Sequence, residues 1–394
     1  MNYTDRVLLL AILLLPPCFV QAVDISAQVG AQSRLFTQDG QWQNSIAAET
    51  ELYWEDSAQI NSFALTLAGR YDNLDNQRSY VDIQEALWLH VAADWEFRAG
   101  IGKVFWGVTE SNHLVDIINQ TNLAESIDGE HKLGQAMLHG TLVRDWGVLD
   151  AFVLPGFRER IFAGKNGRLQ GPVLIDKHSA LFESAAQQNH VDYALRYSHS
   201  IDAFDVGVSW FKGTNREPLI LPVEAATDTE SLTGRPYYDQ MQQFGLDVQA
   251  TLGDWLLKLE TISRQDSVTD FAAVTTGFEY TVTGVFNSVA DMGLLLEYSR
   301  DSRNDEATTL LQNDLFFGMR LAFNDMQGTE ILFGYVQDLA HQASAMGFIE
   351  GSRRLGEAWT LTLDVRTFAG RDPNELLYSL RQDDYVAISL DYYF

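Results

Sequence analysis

The sequence predicts an all-β chain closed into a transmembrane antiparallel β-barrel of about 18 strands, with 16 as the alternative. Three observations carry this reading. After residue 22, nothing approaches the roughly 18 consecutive apolar residues that a spanning helix needs, whereas a barrel strand needs only about 9–11. Segments in which bulky residues alternate with small or polar ones recur along the whole chain. The last of them, "DYVAISLDYYF", runs to the final residue, with Val386, Ile388, Leu390, Tyr392 and Phe394 on one face and Ala387, Ser389 and Asp391 on the other. Chain ends normally fray. A final strand this regular is accounted for if it pairs with the first strand, because closing the sheet leaves no edge.

The opening segment, "MNYTDRVLLLAILLLPPCFVQA", has Arg6, an apolar core over 7–15, a Pro16-Pro17 break, and Val20 and Ala22 at cleavage spacing. It reads as a secretory signal peptide, residues 1–22, cleaved after Ala22. Pro17 directly before Cys18 argues against lipoprotein processing. Cys18 is the single cysteine and leaves with the signal, so no disulfide framework staples residues 23–394. Acidic residues number 54 against 27 basic, a net charge of −27, and removal of Asp5 with Arg6 leaves that balance unchanged. Nucleic acid is thereby excluded as a partner on electrostatic grounds. No linker-like stretch or shift in composition divides the chain, which reads as one domain.

Taken in order, the alternating segments fall near 25–35, 45–56, 60–72, 80–91 and 94–102, then 134–144 and 147–155, then 190–200 and 203–212. The remainder lie near 240–252, 254–264, 270–286, 290–300, 309–322, 328–338, 342–353, 357–369 and 382–394. Trp95, Trp146, Phe204, Trp255 and Trp359 each open a segment just after a short turn. Aromatic rings favour the headgroup level, so these five predict a belt where strands leave one membrane surface. Links after even-numbered segments are short, and those after odd-numbered segments are usually long, the longest being 103–133, 156–189 and 213–239. Short periplasmic turns, long extracellular loops and both termini on the periplasmic side form the pattern of an outer-membrane barrel.

The terminal run ending in Leu390, Tyr392 and Phe394 resembles the C-terminal signature by which Gram-negative outer-membrane proteins are recognised for assembly, and the whole chain resembles porin-like barrels. Within that class, "GIGKVFWGVTESNHLVDIINQTN" resembles the strand and loop of an uncharacterised family of large porin-like barrels. The resemblance implies residence in the outer membrane of a Gram-negative bacterium, contact with its lipid, and handling by periplasmic chaperones and the barrel-assembly machinery. It leaves a homo-oligomer open. In general porins the third outer loop folds inward and narrows the pore. By that resemblance loop 103–133 is the candidate constriction, with Glu110, Asp116, Glu125, Asp128 and Glu130 facing Arg70 and Arg98. Leu114, Ile117, Ile118 and Leu123 suggest a short helix within it, one apolar face against the wall. A loop capping the barrel outward is the alternative.

If the bulky positions face lipid, the complementary positions face the lumen. These carry Arg70, Arg98, Arg196, Lys258, Arg264, Arg320 and Arg366 beside Glu49, Glu51, Glu96, Asp192, Asp247, Glu260, Glu279, Glu297, Asp314 and Asp364. Charge of both signs implies water inside, and a barrel this wide leaves an aqueous channel unless a loop plugs it. Pairing of these charges for structure alone remains the other reading. One residue fits badly: strict alternation in "YVDIQEALWLHV" puts Glu85 on the lipid face with Ile83 and Leu87. A bulge, an oligomer contact or a wrong register would each account for it.

The function expected is passive diffusion of small hydrophilic solutes or ions, with no cofactor, no metal and no chemical step. Two rivals stand beside it, a closed surface-binding or structural barrel and an outer-membrane hydrolase. The eight histidines form no metal-binding pattern, no Gly-x-Ser-x-Gly elbow occurs, and His139 with Asp150 and Ser198 is the one conceivable trio.

Overall fold

The computed structural model describes residues 23–176, 179–223, 233–373 and 375–394, so the expected signal segment lies outside the described residues. Among the described residues twenty-two strands follow one another. The first seven are β1 (Asp24–Phe36), β2 (Gln41–Glu55), β3 (Asn61–Asp72), β4 (Tyr80–Val91), β5 (Trp95–Gly102), β6 (Gln135–Arg144) and β7 (Gly147–Pro155). Then come β8 (Leu174–Ile175), β9 (Leu181–Phe182), β10 (Val191–Ile201), β11 (Phe204–Thr214), β12 (Leu219–Val223), β13 (Thr233–Tyr238), β14 (Gln240–Leu252) and β15 (Trp255–Asp266). The last are β16 (Asp270–Val282), β17 (Asp291–Asp301), β18 (Asn313–Ala322), β19 (Glu330–Asp338), β20 (Ala345–Leu355), β21 (Trp359–Ala369) and β22 (Tyr385–Tyr393).

Eighteen of these form one sheet, all but β8, β9, β12 and β13. Each strand of that sheet pairs antiparallel with its neighbour, and β22 returns to β1 in register from Gln28↔Tyr393 to Phe36↔Tyr385. Phe394 continues the seam, exchanging backbone hydrogen bonds of 2.9 and 3.0 Å with Ala27. The closed ladder satisfies the wall's backbone groups without water, the condition for spanning a bilayer with strands. Among the described residues no helix is long and apolar enough to cross a membrane. Ile388, Leu390, Tyr392 and Phe394 are exposed on the outer face. Trp95, Trp146, Phe204, Trp255 and Trp359 are exposed too, and Tyr197, Tyr280 and Tyr392 pack against Trp146, Trp255 and Trp359 as a belt.

Three local expectations are corrected. The first outer link is a turn, not a long loop, since β2 starts at Gln41 and leaves only 37–40 between strands. Asp39-Gly40 is a hairpin signal that alternation alone passes over: Gly40 takes φ +73°, and Asp39 Oδ1 accepts from the Gln41 amide at 3.1 Å. Second, no helix forms between 112 and 128. Asn119 takes backbone groups for its side chain there, and Glu260 on the wall takes the Val115 amide, so the segment's polar groups are spent outside a helical ladder. Among the described residues the one α-helix is the short α1 (Leu376–Leu380), between β21 and β22.

The third correction concerns Glu85. In the β3–β4 pair Leu67 faces Ile83, but Thr66 faces Glu85, so Gln84 is an extra residue in a β-bulge. Parity reverses there. Val81 and Ile83 point outward with Leu67, while Glu85 joins Thr66 on the lumen face and Trp88 turns outward with Phe63. Gly100 lies on the next strand, in register with Leu87, at φ +139°; a Cβ there would lie 2.0 Å from the Ala86 carbonyl oxygen. Only glycine fits that close approach.

The apolar core lies inside the barrel. Trp106, Val115, Ile117 and Ile118 from segment 103–134 pack on Phe152, Leu154, Phe211, Met241, Ile262 and Phe271 of the wall, with Leu114 and Leu87 against the cluster. Burying Val115, Ile117 and Ile118 stabilises the inward position by about 1.5–3 kcal/mol each. The four short strands form a separate sheet within the links 156–190 and 215–239.

Candidate functional site

Segment 103–134 leaves β5, crosses the lumen and is fastened on the far wall by two buried carboxylates. Glu260 of β15 accepts the amides of Val108 (2.7 Å), Thr109 (3.0 Å) and Val115 (3.2 Å), together with the Thr109 hydroxyl (2.8 Å). Glu297 of β17 accepts the Glu110 and Ser111 amides, both at 2.8 Å, and the Ser111 hydroxyl at 2.6 Å. Hydrogen bonds to a charged acceptor contribute roughly 1.5–3 kcal/mol each. Beyond this clamp Glu110 reaches Arg320 of β18 at 2.7 Å. The chain then doubles back, and Asn119 closes the base, donating to the carbonyls of Gly102 (2.9 Å) and Leu133 (2.8 Å) and accepting the Val104 amide (2.8 Å).

The second half of the segment meets the wall on the opposite flank. Glu125 pairs with Arg70 at 2.9 Å and with Arg78 at 3.4 Å, while Arg78 also holds Asp72 at 2.8 Å. Asp128 pairs with Arg366 at 3.0 Å, and the same guanidinium holds Asp364 at 2.9 Å and Glu350. Two ion pairs lie within the segment itself, Lys132–Asp116 and His113–Glu130, each 2.9 Å. Burial works to lower the His113 pKa, but the hydrogen bond to Glu130 and the charges of Glu130, Glu260 and Asp116 outweigh it and raise it.

The expected meeting of loop acids with Arg70 and Arg98 is therefore half met. Glu125 reaches Arg70, whereas Arg98 turns to Glu96 at 2.6 Å on its own strand. Glu110 and Asp128 find Arg320 and Arg366 instead, and Asp116 and Glu130 stay within the segment. Other wall candidates pair among themselves: Arg196 with Asp247 in a two-pronged contact at 2.7 and 2.8 Å, and Lys258 with Glu279 at 3.8 Å. Arg264 holds Glu217 at 2.8 Å. Burial works to raise the Glu217 carboxyl, yet Arg264 and Arg303 hold it down at about 2. Glu260 is covered by the segment and so anchors it, rather than facing open lumen. Asp314 is buried opposite Asp338.

Arg34, Arg78 and Glu350 were missed from sequence. Period-2 alternation extended one pair further would have found Arg34, which lies over the Tyr385 ring at 4.4 Å, and Glu350. Arg78 lies in a link, where alternation carries no information. His139 Nε2 meets Asp150 at 2.8 Å and the Thr141 hydroxyl at 3.1 Å, and its ring stacks on Phe152; its partners are these rather than Ser198.

A cavity of about 940 Å³ lies between the segment and the wall from β15 to β21, bounded by Glu110, His113 and Asp128 on one side and Phe348, Glu350 and Arg366 on the other. Acids, a guanidinium and an aromatic ring thus face one common space.

No protein-family model matches the chain, and no curated protein matches it in sequence. Among solved structures its fold is similar to Pseudomonas aeruginosa OccK5 (OpdH), at 12% identity and a TM-score of 0.55, covering 95% of this chain and 99% of that one. P. aeruginosa OpdQ (11%, TM-score 0.54) and OccK8 (OprE) (11%, TM-score 0.53) match over the same shares. These neighbours are outer-membrane porins, and at such identities the likeness is one of fold. The chain has the fold of an 18-stranded outer-membrane β-barrel of the porin type.

Proposed function

We propose that the protein is a channel for passive diffusion of small hydrophilic solutes or ions across the outer membrane, with segment 103–134 as its constriction. The observation that carries this reading is the inward course of that segment. Its amides are clamped by Glu260 and Glu297, its acids meet Arg70, Arg320 and Arg366, and a cavity lined by both charged and apolar side chains remains beside it. A loop that merely capped the barrel would have no need of buried carboxylates aimed at its backbone from the far wall. Selectivity resides in Glu110, Asp128, Glu130, Arg320, Glu350, Asp364 and Arg366, whose fixed charges act on a solute that has shed part of its water. Glu96, Arg98, Arg196, Asp247 and Glu279 modulate the wall potential around them. Export directed by residues 1–22 and assembly led by Leu390, Tyr392 and Phe394 complete the proposal, with lipid, periplasmic chaperones and the assembly machinery as partners and a homo-oligomer as one form in the membrane.

Purified protein inserted into a planar bilayer tests it. Discrete, ohmic conductance steps are expected. A barrel that inserts and gives no steps supports the closed surface-binding reading, towards which the small sheet of β8, β9, β12 and β13 would contribute. Solute hydrolysis lost on changing His139 would support the hydrolase reading.

A further inference from the structure

At the end of the barrel that carries the long loops, three links converge on one imidazole. His341 lies in link 339–344 between β19 and β20, and Asp372 and Glu375 lie in link 370–384 between β21 and β22. The potential ligand atoms of these three side chains all lie within 4.8 Å of one another. Asp305, from the link between β17 and β18, meets His341 Nε2 at 3.2 Å, and Glu375 meets His341 Nδ1 at 3.0 Å. Beneath them Asp314 and Asp338 stand in register on β18 and β19, 1% and 4% exposed. Asp338 Oδ1 accepts the amides of Ala340 and His341 at 2.7 and 2.8 Å, which ties it to the link that bears the imidazole.

Buried acid elsewhere in the protein is mostly answered by a cation or by backbone amides, Asp239 being another exception. Elsewhere guanidiniums answer the carboxylates, Arg366 against Asp364, Glu350 and Asp128, Arg303 against Asp301, Arg216 against Asp192, and Arg78 against Asp72. Glu260 and Glu297 are answered by three and two backbone amides. Among the described residues no lysine or arginine pairs with Asp305, Asp314, Asp338 or Glu375, and Oδ1 of the buried Asp314 has no hydrogen-bond partner. Buried carboxylates without a compensating cation are costly. Asp338 is answered by two backbone amides and Asp305 is exposed, which leaves Asp314 and Glu375 with no cation nearby except the one imidazole.

We propose that this junction is a binding site for a divalent first-row transition-metal cation, with His341, Asp372 and Glu375 as its ligands and Asp305 accepting from the imidazole nitrogen that the cation leaves free. The donor set selects the metal class: an imidazole nitrogen with carboxylate oxygens suits zinc and its neighbours, whereas calcium and magnesium prefer oxygen alone. Tetrahedral zinc with bonds of about 2.0–2.1 Å sets its ligand atoms roughly 3.3 Å apart, so the trio needs only side-chain adjustment to close on it. The cation would take over an imidazole nitrogen now bonded to a carboxylate and leave that carboxylate as a ligand. His341, Asp372 and Glu375 all line the cavity described above, so the bound ion would staple links 339–344 and 370–384 together at its mouth and add positive charge there. Sequence offers little hint of the site, since Asp372 and Glu375 share one link but His341 comes from another, some thirty positions earlier. The inference does not depend on what passes through the barrel.

The test is calorimetric titration of zinc chloride into the purified, assembled full chain, produced without an affinity tag, in detergent near neutral pH. One saturable site per chain is expected. Outer-shell changes at metal sites cost about 10–100-fold in affinity, so loss of a direct ligand in His341→Ala or Glu375→Gln should cost about 100-fold or more. Calcium at the same concentration should not displace the zinc. Absence of saturable binding, unchanged affinity in both variants, or equal displacement by calcium would each overturn the proposal, the last by reducing the junction to an unselective acidic patch. Each variant is first checked for assembly by its unheated gel mobility. If His341→Ala fails to assemble, Asp372→Asn takes its place, with the same outcomes deciding.

Discussion

Glu260→Ala removes the acceptor of four hydrogen bonds and leaves the Val108, Thr109 and Val115 amides without a partner in a buried setting. At roughly 1.5–3 kcal/mol per bond to a charged group, the gross loss is large. Contacts sharing one acceptor are not additive, and water will enter the vacated space, so the net weakening of the inward position is about 3–5 kcal/mol. Every 1.4 kcal/mol is tenfold in an equilibrium constant, which raises the detached population by about 10²–10⁴. Amide hydrogen exchange reads this directly at Val108, Thr109 and Val115. Their protection should fall by at least two decades, while amides in the β3–β4 and β21–β22 ladders keep theirs. In a bilayer the variant should conduct more and more noisily. Glu260→Gln, which retains one oxygen acceptor, should fall between. If protection at the three amides changes less than tenfold, the apolar packing of Val115, Ile117 and Ile118 holds the segment unaided and the carboxylate clamp is not what fastens it.

Three further outcomes are expected. Arg366→Gln frees Asp128, Asp364 and Glu350 together, so the reversal potential across a salt gradient should move further toward cations than in the parent. The effect should shrink toward about 1 M salt, where the Debye length falls to about 3 Å; a shift toward anions would refute the assignment of the selective charge. The His113 pKa is raised in the folded protein, so the His113–Glu130 tie is fully present below the ordinary imidazole value near 6.5 and is lost as pH rises through the raised folded value. Open-channel noise should therefore grow across that window, and His113→Gln should abolish the dependence; the same dependence in the variant would place its origin elsewhere. Deletion of Phe394 removes two seam hydrogen bonds to Ala27 and should lower the yield of heat-modifiable barrel without changing the conductance of those that form; normal yield would show that the terminal residue is not part of the assembly signal.

Strand number, closure and the outward aromatic belt were legible in the sequence because each rests on local rules. Alternation has a period of two residues, turns carry their own residues, and an aromatic after a turn marks an interface. The same rules failed where one residue mattered. The extra Gln84 reverses parity for the rest of β4 and moves Glu85 into the lumen, and nothing in the alternation marks where a bulge falls. The inward course of the segment came only from the resemblance to general porins, and its conformation differs from the expected helix, since the Val115 amide goes to Glu260 rather than to a helical turn.

Charge alone placed the lumen residues in a common interior but could not pair them. Glu260 lies 151 positions from Thr109, Arg320 lies 210 from Glu110, and Arg366 lies 238 from Asp128. Once the sheet closes, strands far apart in sequence stand across one lumen from each other, and which of them meet depends on the course of a single crossing segment. Its course is set by several contacts at once, apolar burial against β7, β11 and β15, two carboxylate clamps and three wall arginines, no one of which has a local signature. Strands are specified residue by residue, so the barrel follows from local pattern. Which charges hold the segment in place is a property of the closed ring as a whole, because strands distant in sequence meet only across its lumen.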